Sequence, residues 1–310
     1  MPTRTIRCPA KLNLTLAVGP PDPSDAGRGR HPVASLMIAL DFGDALAIEA
    51  LPTDTERSVW SRGWADDAPH ATPIDWPLDQ DLLVQAHAAV EQAAGVSIPV
   101  EAHLEKRVPP GTGLGGGSGD AAAMLRFLET HLAETTTAST LDVDRIAAEL
   151  GADVSFALHA LRHPDQPAAF ATGFGEQLEP FTLPNPLHAA LILPDFGCPT
   201  GPVYAAFDRL HPDANPVDPE PTRRMIEALQ RGARLTDVDP FNDLTDAAVA
   251  VQPGLRALFQ ALRDADLDPQ LTGSGAAIFI PARDASEAKQ FADVAQRVVG
   301  HPALAIQTLS

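Results

Sequence analysis

Apolar and polar residues alternate near the start of the chain: Leu12, Leu14 and Leu16 share one face of an extended segment, leaving Lys11, Asn13 and Thr15 on the other. Such a strand either lies at the surface or lines a site, and the pattern alone favours the surface. A Gly/Pro/Asp/Arg loop over residues 19–30 follows, then an apolar stretch over 31–40, a turn at Asp41-Phe-Gly-Asp44 and a strand over 45–51. Residues 52–80 hold all three tryptophans among Asp, Pro and Ser and read as a surface excursion with room for a short hairpin. The period then changes. Residues 81–94 are helical, 98–104 a strand and 117–133 helical again. A polar linker at 135–140 leads to a helix over 141–150 closed by Gly151. Asp153 is placed to cap a second short helix over 154–161. Strands are predicted over 168–174 and 188–193.

Beyond Pro194 the character shifts. A segment holding Tyr204, the only tyrosine, runs into a proline-rich loop over 210–222. Helices over 223–232, 243–251 and 254–265 precede the glycine turn Leu271-Thr-Gly-Ser-Gly275. That turn feeds an apolar strand over 276–280, and a helix over 285–299 and a strand over 303–309 complete the chain. There is no internal repeat. Strands and helices mixed without strict βαβ alternation predict an α+β fold in two domains, 1–185 and 186–310.

Between the strand at 98–104 and the helix at 117–133 stands Val108-Pro-Pro-Gly-Thr-Gly-Leu-Gly-Gly-Gly-Ser-Gly-Asp120, with five glycines between 111 and 117. A backbone without Cβ atoms can crowd its N–H groups around one object, and the helix that follows points its N-terminus at the same spot. That is an anion site, most naturally for a nucleotide's phosphates. Glycines also serve tight turns and close packing. Gly111-Thr-Gly113-Leu-Gly115-Gly116 fits G-x-G-x-x-G, but two prolines separate it from the strand and no strand ending in an acid follows, against a dinucleotide fold. A Walker A loop would need Gly-Lys-Ser/Thr, which is absent. What remains is a phosphate cradle of another kind.

Composition narrows the classes. A chain of 310 residues, 45% hydrophobic and 20% charged, is ordinary globular material with length for two cores. The first eight residues lack the apolar core of a signal peptide, and no apolar run approaches membrane-spanning length. Cys8 and Cys198, each followed by proline, give neither a disulfide framework nor a metal spacing and are expected reduced and buried, which suits the cytoplasm. A net charge of −19 argues against nucleic acid or an anionic membrane as partner, and requires any phosphate site to be locally basic. Only three lysines stand against nineteen arginines. Lys106, beside Arg107, is either half of a solvated pair or faces phosphate.

Four segments stand out: Pro9-Ala-Lys-Leu-Asn-Leu14, the loop at 111–118, Leu150-Gly-Ala-Asp153 and Leu271-Thr-Gly-Ser-Gly-Ala276. With Leu40-Asp-Phe-Gly-Asp44, Gly173-Phe-Gly-Glu176 and Asn242-Asp-Leu244, they resemble the GHMP kinases, a family of small-molecule kinases, in order and over nearly the whole chain. The resemblance implies an N-terminal domain like ribosomal protein S5 domain 2 and a ferredoxin-like C-terminal domain, with ATP and a sugar alcohol in the cleft between them. It implies that Asp153 takes the proton of the attacking hydroxyl and that Lys11 holds hydroxyl and carboxylate together. Phosphoryl transfer needs mainly positioning, charge stabilisation and a proton acceptor in reach. Without the resemblance, Asp153 is equally a helix cap and Lys11 a surface residue.

By the same resemblance Pro110, Gly111, Gly113, Leu114, Gly115, Gly116, Gly117 and Ser118 hold the nucleotide, with Ser118 bonding phosphate or a metal-bound water where it would otherwise be a plain N-cap. Mg2+ is expected with ATP, keeping several waters; its ligands are not assigned. Asn13, Arg30, His31, Thr200, Tyr204, Gly273 and Ser274 fall at acceptor-binding positions, for an acceptor that is a cytidine diphosphate-linked sugar alcohol. Three departures stand out. Gly29-Arg30-His31 replaces the usual Gly-Tyr-His, Gly119 stands where a second serine is common, and Asp81 where Asn precedes Leu. Arginine can lay its flat guanidinium on a base, and Tyr204 supplies the opposite ring. A kinase for a different small alcohol and a non-catalytic nucleotide-binding homologue are the alternatives, and the protein is expected as a monomer or homodimer.

Overall fold

A computed structural model describes residues 3–24, 29–135 and 141–309. The predicted polar linker therefore lies, but for residue 135, outside the described residues, as do residues 25–28 of the first loop. Two long strands come first. β1 (Arg4–Val18) is buried on both faces from Cys8 onward, so Lys11, Asn13 and Thr15 are not at the surface: they are 7%, 6% and 0% exposed. β2 (Val33–Ala50) runs without a break through the turn predicted at 41–44. The glycine there serves another purpose, since a Cβ on Gly43 would lie 2.1 Å from the Cys8 carbonyl oxygen. It marks a close approach of two backbones rather than a reversal of one.

The described chain forms two compact units, each discontinuous in sequence. The first comprises Met1–Ala10, Gly43–Pro109 and Gly115–His163. Its elements after β2 are β3 (Val59–Trp64), α1 (Leu82–Ala94), β4 (Val100–Lys106), α2 (Gly116–Thr135), α3 (Val143–Leu150) and α4 (Ala152–Arg162). The end of β2 pairs antiparallel with β4, from Ala45 opposite Glu105 to Ala50 opposite Val100, and β3 lies parallel on the other side of β4. The tryptophan-rich excursion thus adds a strand to the sheet instead of making a hairpin of its own. Asp81 caps α1, accepting from the Leu83 amide, and also accepts from Arg62 Nη1 at 2.9 Å and Trp76 Nε1 at 3.0 Å. Leu46, Ile48, Val100, Ala102 and Leu104 from the sheet pack with Val90, Met124, Leu125 and Leu128 from the helices. Each of these side chains larger than alanine contributes about 1.5–3 kcal/mol by leaving water. α4 begins two residues earlier than predicted: Gly151 is its N-cap, and Asp153 is its second residue rather than its cap.

The second unit comprises Lys11–Phe42, Pro110–Leu114 and Pro164–Ser310. β5 (Ala168–Thr172) pairs antiparallel with the first half of β2, Ser35 opposite Ala171, and β6 (Gln177–Phe181), which periodicity did not reveal, pairs with β5. Then come β7 (His188–Ile192), α5 (Thr200–Leu210), α6 (Glu220–Gln230), β8 (Phe241–Asn242), α7 (Thr245–Val251), α8 (Gly254–Asp264), β9 (Gln270–Leu271), β10 (Ile278–Ala282), α9 (Ala285–Val299) and β11 (Ala303–Gln307). β8 pairs parallel with β1, Thr15 opposite Phe241. An antiparallel sheet of order β11-β7-β10-β9 packs Ala190, Ile192, Ile278 and Ile280 against Leu255, Phe259, Leu262, Ala292 and Ala295. Asp284 caps α9 through the Glu287 amide, and Gly300 ends it in the left-handed conformation.

Candidate active site

The candidate residues divide between the two units. In the second, β1 carries Lys11 and Asn13 on a buried polar face. Lys11 Nζ donates to Asn13 Oδ1 at 2.5 Å, and the Asn13 amide group donates from Nδ2 to Ser35 Oγ at 2.8 Å. The Lys11 backbone N–H bonds the Leu114 carbonyl at 2.9 Å, and the Asn13 N–H bonds Thr272 Oγ1 at 2.9 Å. The first strand therefore touches both glycine turns. Those turns also touch each other. Gly113 has φ +74°, and a Cβ there would stand 2.5 Å from the Thr272 carbonyl oxygen and 3.1 Å from the Gly275 nitrogen. Only glycine allows that approach. The Gly111 carbonyl accepts from the Cys198 and Ala276 amides, and Thr200 Oγ1 lies 3.0 Å from Ser274 Oγ. Lys11, Asn13, Gly111, Gly113, Leu114, Thr200, Gly273 and Ser274 are thus one neighbourhood, while Pro110 is exposed beside it.

The expected base pocket is drawn together in part. The His31 ring lies 5.0 Å from that of Tyr204, with its Nδ1 2.8 Å from the Gly19 carbonyl and its Nε2 3.5 Å from Asp208. The Arg30 guanidinium carbon lies over the Phe174 ring, 4.1 Å from its centroid. Phe174 belongs to the Gly173-Phe-Gly-Glu176 motif, but that it faces Arg30 is not written in any local pattern.

In the first unit, α2 opens at Gly116, so Gly116, Gly117 and Ser118 are its first three residues and their N–H groups have no partner four residues back within the helix. Ser118 is half-buried inside the first turn rather than an N-cap. A twenty-residue helix places partial positive charge at this end. Gly115, just before it, has the left-handed φ of +68° that glycine adopts freely. Asp153 is half-buried in the first turn of α4. Gly119 cannot be a missing serine: a Cβ on it would meet the Pro9 carbonyl oxygen at 2.6 Å.

Lys106 overturns both readings given to it, being neither solvated nor turned to phosphate. It is 4% exposed, and its ammonium donates to Asp44 Oδ2 at 2.5 Å and to Asp120 Oδ2 at 2.6 Å. Burial alone would lower its pKa, but the two carboxylates outweigh that and raise it. Burial raises the pKa of Asp120, the lysine opposing it only in part. Sequence reasoning missed this cluster, although a signal was present: Val100, Ala102, Leu104 and Lys106 recur every second residue and all point inward. Among the described residues no group of three or more His, Cys, Asp or Glu side chains is arranged to hold a metal ion, and no helix is long and apolar enough to cross a membrane. The loop amides fit a polyphosphate, and a divalent cation there would be held chiefly by the phosphates and water.

The class follows from the whole chain. Residues 81–173 match the GHMP kinases N terminal domain and residues 222–300 the GHMP kinases C terminal; the chain belongs to the GHMP kinases, has their two-domain α+β fold and is a small-molecule kinase. Within the family it is 35% identical over 289 residues to the 4-diphosphocytidyl-2-C-methyl-D-erythritol kinase of Caulobacter vibrioides (strain NA1000 / CB15N), covering 92% of each chain. The enzyme of that name from Thermobifida fusca (strain YX) is 34% identical, covering 93% of this chain and 90% of its own. A crystal structure of 4-(cytidine 5'-diphospho)-2C-methyl-D-erythritol kinase superposes with a TM-score of 0.74 at 29% identity, covering 99% of this chain and 100% of that one.

Proposed function

We propose that this chain transfers the γ-phosphoryl group of ATP to the 2-hydroxyl of 4-diphosphocytidyl-2-C-methyl-D-erythritol, a step of the non-mevalonate route to isoprenoids. The observation that carries the reading is likeness, across nearly all of both chains, to kinases named for that acceptor. The buried Lys11/Asn13 face and the amide-lined loop supply a chemistry that suits it. In the reaction the hydroxyl oxygen attacks the γ-phosphorus, the bond to the bridging oxygen breaks, and ADP leaves. Asp153 receives the hydroxyl proton. Lys11 orients the hydroxyl and offsets charge building on the transferring group, an effect strengthened by its burial. The amides of residues 113–117 and the Ser118 hydroxyl hold the polyphosphate. A divalent cation carried by the nucleotide would supply positive charge against the polyphosphate, with Ser118 the side chain placed to hold a metal-bound water. Arg30 and Tyr204 flank the cytosine, with His31 at its edge, and Asn13, Thr200, Gly273 and Ser274 hold the rest of the acceptor.

The antiparallel sheet of β7, β9, β10 and β11 lies wholly within residues 186–310, which supports that range as the C-terminal domain. The excess negative charge and two unpaired cysteines fit action in the cytoplasm, as a monomer or homodimer. Purified protein, ATP and a panel of alcohols test the reading by ADP release and phosphorus NMR of the product. Preference for an alcohol without the cytidylyl group would replace the acceptor, and ADP binding with no transfer to any alcohol would leave a non-catalytic homologue. Asp153→Asn is expected to cut turnover roughly 10²–10⁴-fold with ADP affinity nearly unchanged; near-normal turnover removes Asp153 as the base.

A further inference from the structure

The glycine loop has a neck, and three buried charged side chains close it. β4 ends at Lys106 and α2 begins at Gly116, and the chain on either side of the loop, through Pro109 and from Gly115, belongs to the first unit. Asp44, from the middle of β2, accepts through Oδ1 from the backbone N–H of Arg107 and from that of Val108, the latter at 2.8 Å. Its other oxygen accepts from Lys106 Nζ, which also bonds Asp120, one turn into α2. The two ends of the loop are in contact as well. A Cβ on Gly116 would fall 2.8 Å from Val108 Cβ and 3.5 Å from Asp44 Oδ2. Asp44 and Asp120 are each 1% exposed.

We propose that Asp44, Lys106 and Asp120 are positioning residues for the phosphate donor: together they clip the neck of the glycine loop and fix the direction in which its amides face the nucleotide. The inference rests on the reading of residues 111–118 as the phosphate cradle. Removing three ionisable groups from water opposes folding, and apolar side chains of the same volume hold a core at least as well. What apolar side chains cannot do is accept two successive backbone amides at the loop entrance while tying that entrance to the helix that ends it. Anion-binding amides act through their preset orientation, and a displacement of about 1 Å is enough to cost such a site heavily. Burial raises the Asp120 pKa, so a proton there removes the excess negative charge from beneath a site built for an anion.

The test separates positioning from bulk stability. Asp44→Asn keeps the shape but sets an amide nitrogen or a weaker acceptor against Lys106 or the loop amides. It is expected to raise the KM for ATP and the Kd for ADP about tenfold or more, leaving the KM for the acceptor within about twofold. Lys106→Met should act in the same direction, and the isosteric Asp120→Asn in the same sense by about threefold. Melting temperature and circular dichroism are recorded for each. Variants that melt earlier but, below their transitions, bind ATP and ADP within about twofold of the parent overturn the proposal. If Asp44→Asn and Lys106→Met do not fold, Asp120→Asn decides by the same criterion. Absence of ADP binding to the unsubstituted protein would instead sink the phosphate-cradle reading, a distinct outcome.

Discussion

Asp120 shows how one residue's surroundings reach the solution behaviour of the protein. It is faced by the Lys106 ammonium and the Asp44 carboxylate, with the Cys8 thiol, whose own pKa burial raises, beside them. Because the folded-state pKa of Asp120 is raised, the native chain keeps a proton that the unfolded chain releases above about pH 4. Stability must then fall as pH climbs from that value toward the raised one, and level off beyond it. Urea midpoints measured from pH 5 to 9 should decline less steeply for Asp120→Asn than for the parent; parallel curves would show that the proton is not held there. Arg30 offers a second prediction. Its guanidinium lies over the Phe174 ring, and the acceptor reading needs it held beside the base. Phe174→Ala is expected to raise the acceptor KM roughly three- to tenfold at constant ATP KM, and an unchanged acceptor KM would detach Arg30 from the base. Neither pair could be foreseen from neighbours in sequence. Lys106 could have been, because its alternation with Val100, Ala102 and Leu104 is local, but a lysine on an apolar face is discounted when its two carboxylate partners lie 62 and 14 residues away.

Among the elements, those with a strong period were legible: α1, α2, α9, β4 and β7 stand within a few residues of their predicted bounds. Errors gathered where a residue's local meaning was overruled by a distant strand. Gly43 reads as a turn beside two aspartates, yet it lies mid-strand because the Cys8 carbonyl needs the space a side chain would take. Gly43→Ala should therefore separate β1 from β2 locally and cost at least about 2 kcal/mol in chemical denaturation. A cost below about 0.5 kcal/mol would return that glycine to the role of a simple breaker. The same logic explains β1. Alternation identified its two faces correctly, but which faces water depends on what the rest of the chain lays over them, and Leu12 and Lys11 both end up covered. β3 was hidden for another reason, as an edge strand in a tryptophan-rich stretch has no periodicity until β4 gives it a partner.

For the whole molecule, charge is the property read most directly. At −19 the protein repels a nucleotide polyphosphate from a distance, whatever its loop does at contact. Raising ionic strength from about 0.01 to 0.1 M shortens the screening length from about 30 to 10 Å. The KM for ATP should fall by about twofold or more over that range, whereas a rise would mean that basic groups near the loop dominate the approach.

β1 pairs at Thr15 with Phe241, in a strand only two residues long, and at Asn13 with the Thr272 hydroxyl. On the ribosome, Phe241 is made roughly ten to fifty seconds after Thr15 at the usual pace of translation. For that interval the nascent lysine-bearing segment is born without the partners that complete it. Synthesis that terminates before Phe241 would therefore release a product with an unfinished strand near its amino terminus, a substrate for chaperones and proteases rather than a shortened enzyme.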